Sequence, residues 1–124
     1  MRPIVKPLAA LVLLMACAAP RGAFALNDRE TVEVNKKLFV IRLDESFAKG
    51  EVANAKAPGT AVADACAHLQ RAQVYSDEAM AAAARVRTII GPDALHEHAD
   101  VFKMLAAAQL IDADLKATIK DGCL

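Results

Sequence analysis

The sequence predicts an all-α protein: a small three- to four-helix bundle closed by one intramolecular disulfide. Three observations carry that expectation. Positions 62, 65, 69, 72, 76, 79, 83, 86 and 90 are all apolar or small and advance by steps of three and four, one face of a single long helix. Alanine, the strongest helix former, fills 21 of the positions from 26 to 124, while Gly and Pro are few and punctuate the segments. Cys66 and Cys123 are the only cysteines in that stretch, 57 positions apart. Two thiols in a small exported domain read first as a disulfide.

Export is itself an expectation from residues 1 to 25. Arg2 and Lys6 form a short basic start, Leu8 to Ala19 is an uncharged apolar run, and Ala23-Phe24-Ala25 is a small-x-small cleavage site. The expected organisation is a signal peptide over 1–25, removed, and a single helical domain over 26–124 in the periplasm or secreted. Leu14-Met15-Ala16-Cys17 also resembles a bacterial lipobox, which would lipidate Cys17. Met15 fits that pattern poorly, so the lipid anchor is the less favoured route.

Of 15 basic and 15 acidic residues, only Arg2, Lys6 and Arg21 lie within 1–25, so the remainder carries three more acids than bases. A mildly acidic domain has no electrostatic reason to prefer nucleic acid. Nothing beyond residue 25 approaches the ~20 consecutive apolar residues of a membrane helix.

The first segment is read from Asp28 to Lys49. Asn27 and Glu30 have capping-box spacing, Val32, Phe39, Leu43 and Phe47 fall at helical intervals, and Gly50 is the expected stop. Residues 31–43 also carry strand character, in the alternation Thr31-Val32-Glu33-Val34 and the run Leu38-Phe39-Val40-Ile41. Helix is favoured over strand. Glu51 to Gly59 then reads as a connector, with a turn at Pro58-Gly59 and Thr60 as the cap of the next helix.

The second helix, over 61–90, would be ~45 Å long if unbroken. Ser76 is a competent cap that could divide it, but the stripe keeps its phase across that point. Gly91-Pro92 ends this helix and starts the last, from Asp93 to Lys120. The last stripe is Ala94, His98, Val101, Leu105, Ala108, Asp112, Leu115 and Ile119. Two of its members, His98 and Asp112, are polar. Either they are buried for a reason or the helix breaks near Gln109 to Asp112. A break is preferred at Asp112, a good cap for a short final helix, with His98 left open. A hairpin folded at residue 91 brings Cys66 and Cys123 to the same end. Closing that loop is worth about 4 kcal/mol in a loop-entropy model, comparable with the net stability of a small domain.

Candidate chemistry is sparse. His96-Glu97-His98 cannot hold one ion on a helix, because side chains two apart diverge. Asp93, His96 and Asp100 share a helical face and form a weak metal candidate beside the simpler reading of a solvated helix start. Asp64 and His68 form a similar pair. Met80 and Met104 read as core filler more than as ligands. No nucleophile elbow, phosphate loop or haem-attachment motif is present, so an enzyme is the least expected class and no cofactor is expected.

The favoured function is an exported helical interaction protein that binds a protein partner, or itself as a homodimer, through apolar helix faces. One alternative is a small module for a metal ion or for an apolar ligand in a gap of the alanine-lined core. Another is an acid-responsive envelope-stress chaperone, exposing apolar surface below about pH 4 as carboxylates protonate.

Overall fold

The computed structural model describes residues 26–123, which are helical throughout apart from short turns. The expected signal segment, its expected cleavage site and Cys17 lie outside the described residues. Four helices follow one another: α1 (Asp28–Ala55), α2 (Val62–Ile90), α3 (Pro92–Leu95) and α4 (Ala99–Cys123). The chain is a small all-α bundle, and no described helix is long and apolar enough to cross a membrane.

α1 opens on the expected capping box. Glu30 N donates to Asn27 Oδ1 at 2.8 Å, and Asn27 N donates to Glu30 Oε1 at 3.0 Å. Residues 31–43 are helix, with none of the strand alternative. The helix also runs straight through Gly50 and ends only at Ala55, correcting the stop expected there. The residues after the glycine have partners that reward continuation. Glu51 pairs with His68 and Arg71 of α2, and Val52 and Ala55 pack on the lower core. Those contacts outweigh the roughly 1 kcal/mol that a mid-helix glycine costs relative to alanine.

Thr60 is not the N-cap of α2. Its hydroxyl donates backwards, to Ala57 O at 2.7 Å and Asn54 O at 3.3 Å, tying off the end of α1. Ala61 takes the cap position with no side-chain bond. Gly59, at φ +82°, makes the left-handed turn between them.

α2 is continuous across Ser76, and the phase of its stripe is kept. Leu69, Ala72, Ser76, Ala79, Ala83, Val86 and Ile90 are all buried. Val62, at the stripe's start, is exposed. Gly91 N donates to Arg87 O, and a φ of +85° lets the chain turn there.

The last segment breaks, but not at Asp112. α3 is one turn long, His96 to His98 form the bend, and α4 starts where Phe102 N donates to His98 O. The bend lets Ala94 and Leu95 plug the end of the core while Val101 and Leu105 remain on it. Asp112 sits mid-helix because its carboxylate has side-chain donors and needs no free backbone N–H. Gly122 lies inside the final turn of α4.

The core has two apolar parts. The larger joins Val34, Leu38 and Ile41 of α1 to Ala83 and Val86 of α2 and to Val101 and Leu105 of α4. The smaller gathers Ala48, Leu69, Ala72 and Leu115. Along each helix a buried polar residue falls between the two: Asp44 on α1, Ser76 on α2 and Asp112 on α4. The Cys66–Cys123 disulfide, with Cα atoms 5.7 Å apart, fastens α4 to α2 at the thinner end.

Candidate functional site

α1 has two apolar faces, and the expected one is on the outside. Val34, Leu38, Ile41, Asp44 and Ala48 are the buried positions. Val32, Phe39 and Leu43 face away, 53%, 62% and 41% exposed. The stripe phased on Val32, Phe39, Leu43 and Phe47 therefore does not form the core. Phe47 is partly covered, its ring 5.1 Å from that of Tyr75 on α2. Val32, Asn35, Lys36, Phe39 and Val40 line a shallow apolar depression on this face.

Isolated exposed apolar residues are ordinary on a protein surface; a row of large ones along a single helix is not. The row persists because the buried face independently supplies a core-forming stripe. Both faces obey the helical period, so periodicity alone does not tell them apart.

A second concavity lies between α1 and α4 near the disulfide. It is a groove of about 280 Å³ with Ala48, Val52, Leu69, Ile111 and Leu115 among its walls and Lys49, Lys56 and Asp114 at its edges. The disulfide joins α4 to α2, not to α1, and the small residues on α1 leave this side open.

The buried polar residues are linked to their surroundings unequally. Asp112 accepts from Ser76 Oγ at 2.9 Å, Gln73 Nε2 at 3.0 Å and Lys116 Nζ at 2.8 Å. Burial pushes its carboxyl up, but those three donors outweigh burial and hold it below the usual carboxylate range. Asp44 has no such set. Its Oδ2 is buried without a hydrogen-bond partner. Burial first, and then the neighbouring Glu78 carboxylate, push its pKa up to about 6. Glu45, the next residue, also has a buried oxygen without a partner and is shifted upward by burial, partly offset by Lys49.

These groups do not assemble a nucleophile. Ser76 is buried, and its hydroxyl donates to a carboxylate that holds its proton poorly. Lys116 is held more firmly protonated by the same carboxylate, the opposite of a lysine base.

The sequence-derived metal candidates do not converge. The bend at 96–98 separates the helical face that Asp93, His96 and Asp100 were expected to share. His96 instead lies near Phe102, ring centroids 6.3 Å apart. Among the described residues no group of three or more His, Cys, Asp and Glu is arranged to hold a metal ion. His68 turns from Asp64 to Glu51, its Nδ1 2.7 Å from Oε1, and Met80 and Met104 pack against the larger core. His98 is buried, with Nε2 lacking a partner.

Two features escaped the sequence: the outward direction of Phe39 and the burial of Asp44. A signal for both existed in the alternative stripe at 34, 38, 41, 44 and 48, hidden by the greater size of the phenylalanines. Comparison with known proteins adds nothing, since no protein-family model, curated protein or solved structure matches this chain.

Proposed function

We propose that the protein is an exported, non-enzymatic interaction module that docks another protein on the outer face of α1. The observation that carries this reading is the row Val32, Phe39 and Leu43, large apolar side chains left uncovered on one helix. Leaving such a row in water forgoes burial worth ~25 cal/mol per Å², and a partner recovers it. The segment over 1–25 and the paired cysteines support an oxidising location outside the cytoplasm.

Photo-crosslinking tests the reading. A photoreactive residue at 39 or 43, introduced into the protein in its native cells, yields a discrete protein adduct on irradiation. The same residue at Gln70, an exposed position on α2, yields none. Equal labelling from 39 and 70, or no adduct from 39 and 43, contradicts the proposal.

A second reading rests on the groove between α1 and α4. Its volume is at the lower edge of small-molecule sites, which suits a short apolar ligand. Thermal melting in the presence of medium-chain alcohols or acids tests it; a midpoint that does not move rejects it.

A further inference from the structure

We infer that the outer face of α1 receives an amphipathic helix whose flank is acidic, an inference that rests on this face being the docking surface. The shape of the face specifies a helix. Val32, Phe39, Leu43, Ser46, Gly50 and Ala53 are all exposed, and with Lys36 they advance by alternating steps of four and three. That 3.5-residue repeat is the seam along which a second helix lies without drifting off. From residue 32 to residue 53 it is ~32 Å long. The seam is bulky in its first half and small in its second, and at Gly50 nothing stands within 4 Å of where a Cβ would be. A partner backbone can come close there while its own larger side chains meet the second half.

Charge specifies the partner's flank. Arg42, Lys49 and Lys56 recur every seven residues along one side of the seam, and all three are exposed. Among the described residues none of the three forms an ion pair. Two carboxylates of the same helix are committed to α2, Glu33 to Arg85 and Glu51 to His68 and Arg71. Asp44 and Glu45 each have a buried oxygen, and Glu45 is near enough to Lys49 to feel its charge without forming an ion pair. The row is therefore a line of cations outside any ion pair, with only Lys49 near a carboxylate of its own helix, in a stretch that is acidic as a whole. Charges flanking a seam govern partner choice.

The same row argues against α1 pairing with itself. An antiparallel pair would set Arg42, Lys49 and Lys56 against their own copies. A parallel pair would set them opposite Val40, Phe47 and Asn54, which offer no negative charge. A partner carrying Asp or Glu every seventh residue satisfies the row in either direction.

The test uses the purified, disulfide-bonded protein and two labelled 21-residue helical peptides with an identical leucine-alanine seam. One peptide is flanked by glutamates and the other by lysines. Anisotropy titrations are run at low and high salt, alongside phosphatidylglycerol vesicles and sedimentation of the protein alone. The expected result is a preference of about tenfold or more for the glutamate peptide, weakened by salt. The triple variant Arg42→Glu/Lys49→Glu/Lys56→Glu should reverse that preference. Phe39→Ser should abolish binding while circular dichroism stays unchanged.

Equal binding of both peptides, lost in Phe39→Ser, overturns the acidic flank and leaves the docking surface standing. Binding of neither peptide overturns the inference, and the crosslink at position 39 then decides the docking surface separately. Vesicle binding without peptide binding assigns the face to an anionic membrane and overturns both. A dimer of the protein alone that Phe39→Ser dissociates makes a second copy the occupant and overturns the inference.

Discussion

Asp44 is the residue whose chemistry departs furthest from its ordinary range. In the fold its pKa is near 6 against 3.8 for the free side chain, so the folded chain takes up a proton between about pH 4 and 6 that the unfolded chain does not. Stability from this group therefore rises as pH falls through that window and is lost on return to neutrality. At about 1.4 kcal/mol per pKa unit, Asp44→Asn should raise the unfolding free energy at pH 7 by roughly 1–3 kcal/mol and flatten its change between pH 5 and 7. Urea unfolding at those two pH values checks this. Asp112 has the opposite sign: its depressed carboxyl contributes above its ordinary range and loses that contribution as pH falls below it. Asp112→Ala strands the buried Ser76 hydroxyl, while Gln73 keeps Asp77 as an acceptor, and should cost about 2–4 kcal/mol at pH 7 by the same measurement. Lys116→Ala should cost under about 1 kcal/mol, because the lysine is largely exposed and the other two donors remain.

At the scale of the element, α1 is where sequence and structure diverge most, and Gly50 is the simplest example. A glycine before Glu51 reads as a stop when only the local chain is considered. The side chains that carry the helix onward, Glu51 and Val52, act through α2 and the lower core, which a linear pattern does not display. Gly50 is exposed, lies in ordinary helix and has open space around the missing Cβ. Gly50→Ala should therefore stabilise the protein by about 0.5–1 kcal/mol in chemical denaturation. The phase of α1 misleads for a related reason: the phenylalanines weigh more than the alanine and aspartate that are actually buried. α2 was legible because its stripe has no competing face. In the final segment the buried positions were legible, but the place of the bend was not, since Asp112 is as good a cap as His98 is a poor one. What keeps the helix whole at Asp112 is the pair of donors reaching it from α2, a tertiary fact.

For the whole molecule, two modest apolar clusters separated by buried polar residues make a small core, and the disulfide compensates at its thinner end. The pairing of Cys66 with Cys123 was readable from the hairpin at Gly91, which places both cysteines at the same end. Replacing both by serine should lower the unfolding free energy by about 2–4 kcal/mol, a large share of what a domain of this size possesses. Opposing carboxylates also shape the pH response of the bundle. Asp44 and Glu45 favour mild acid, whereas Asp112, Glu33 and Glu51 withdraw their contributions below about pH 4. Stability should therefore peak near pH 5, and any acid-induced exposure of apolar surface should begin only below pH 4.

The interaction reading requires α1 to spend one apolar face on the core and keep the other free. The most direct measurement is the unfolding free energy of Ile41→Ala beside that of Phe39→Ala in the oxidised protein. Ile41 is fully buried and its truncation should cost about 2–5 kcal/mol; removal of the exposed Phe39 ring should change stability by no more than about 0.5 kcal/mol. A Phe39→Ala loss equal to or greater than that of Ile41→Ala would place the phenylalanine in the core and contradict the account.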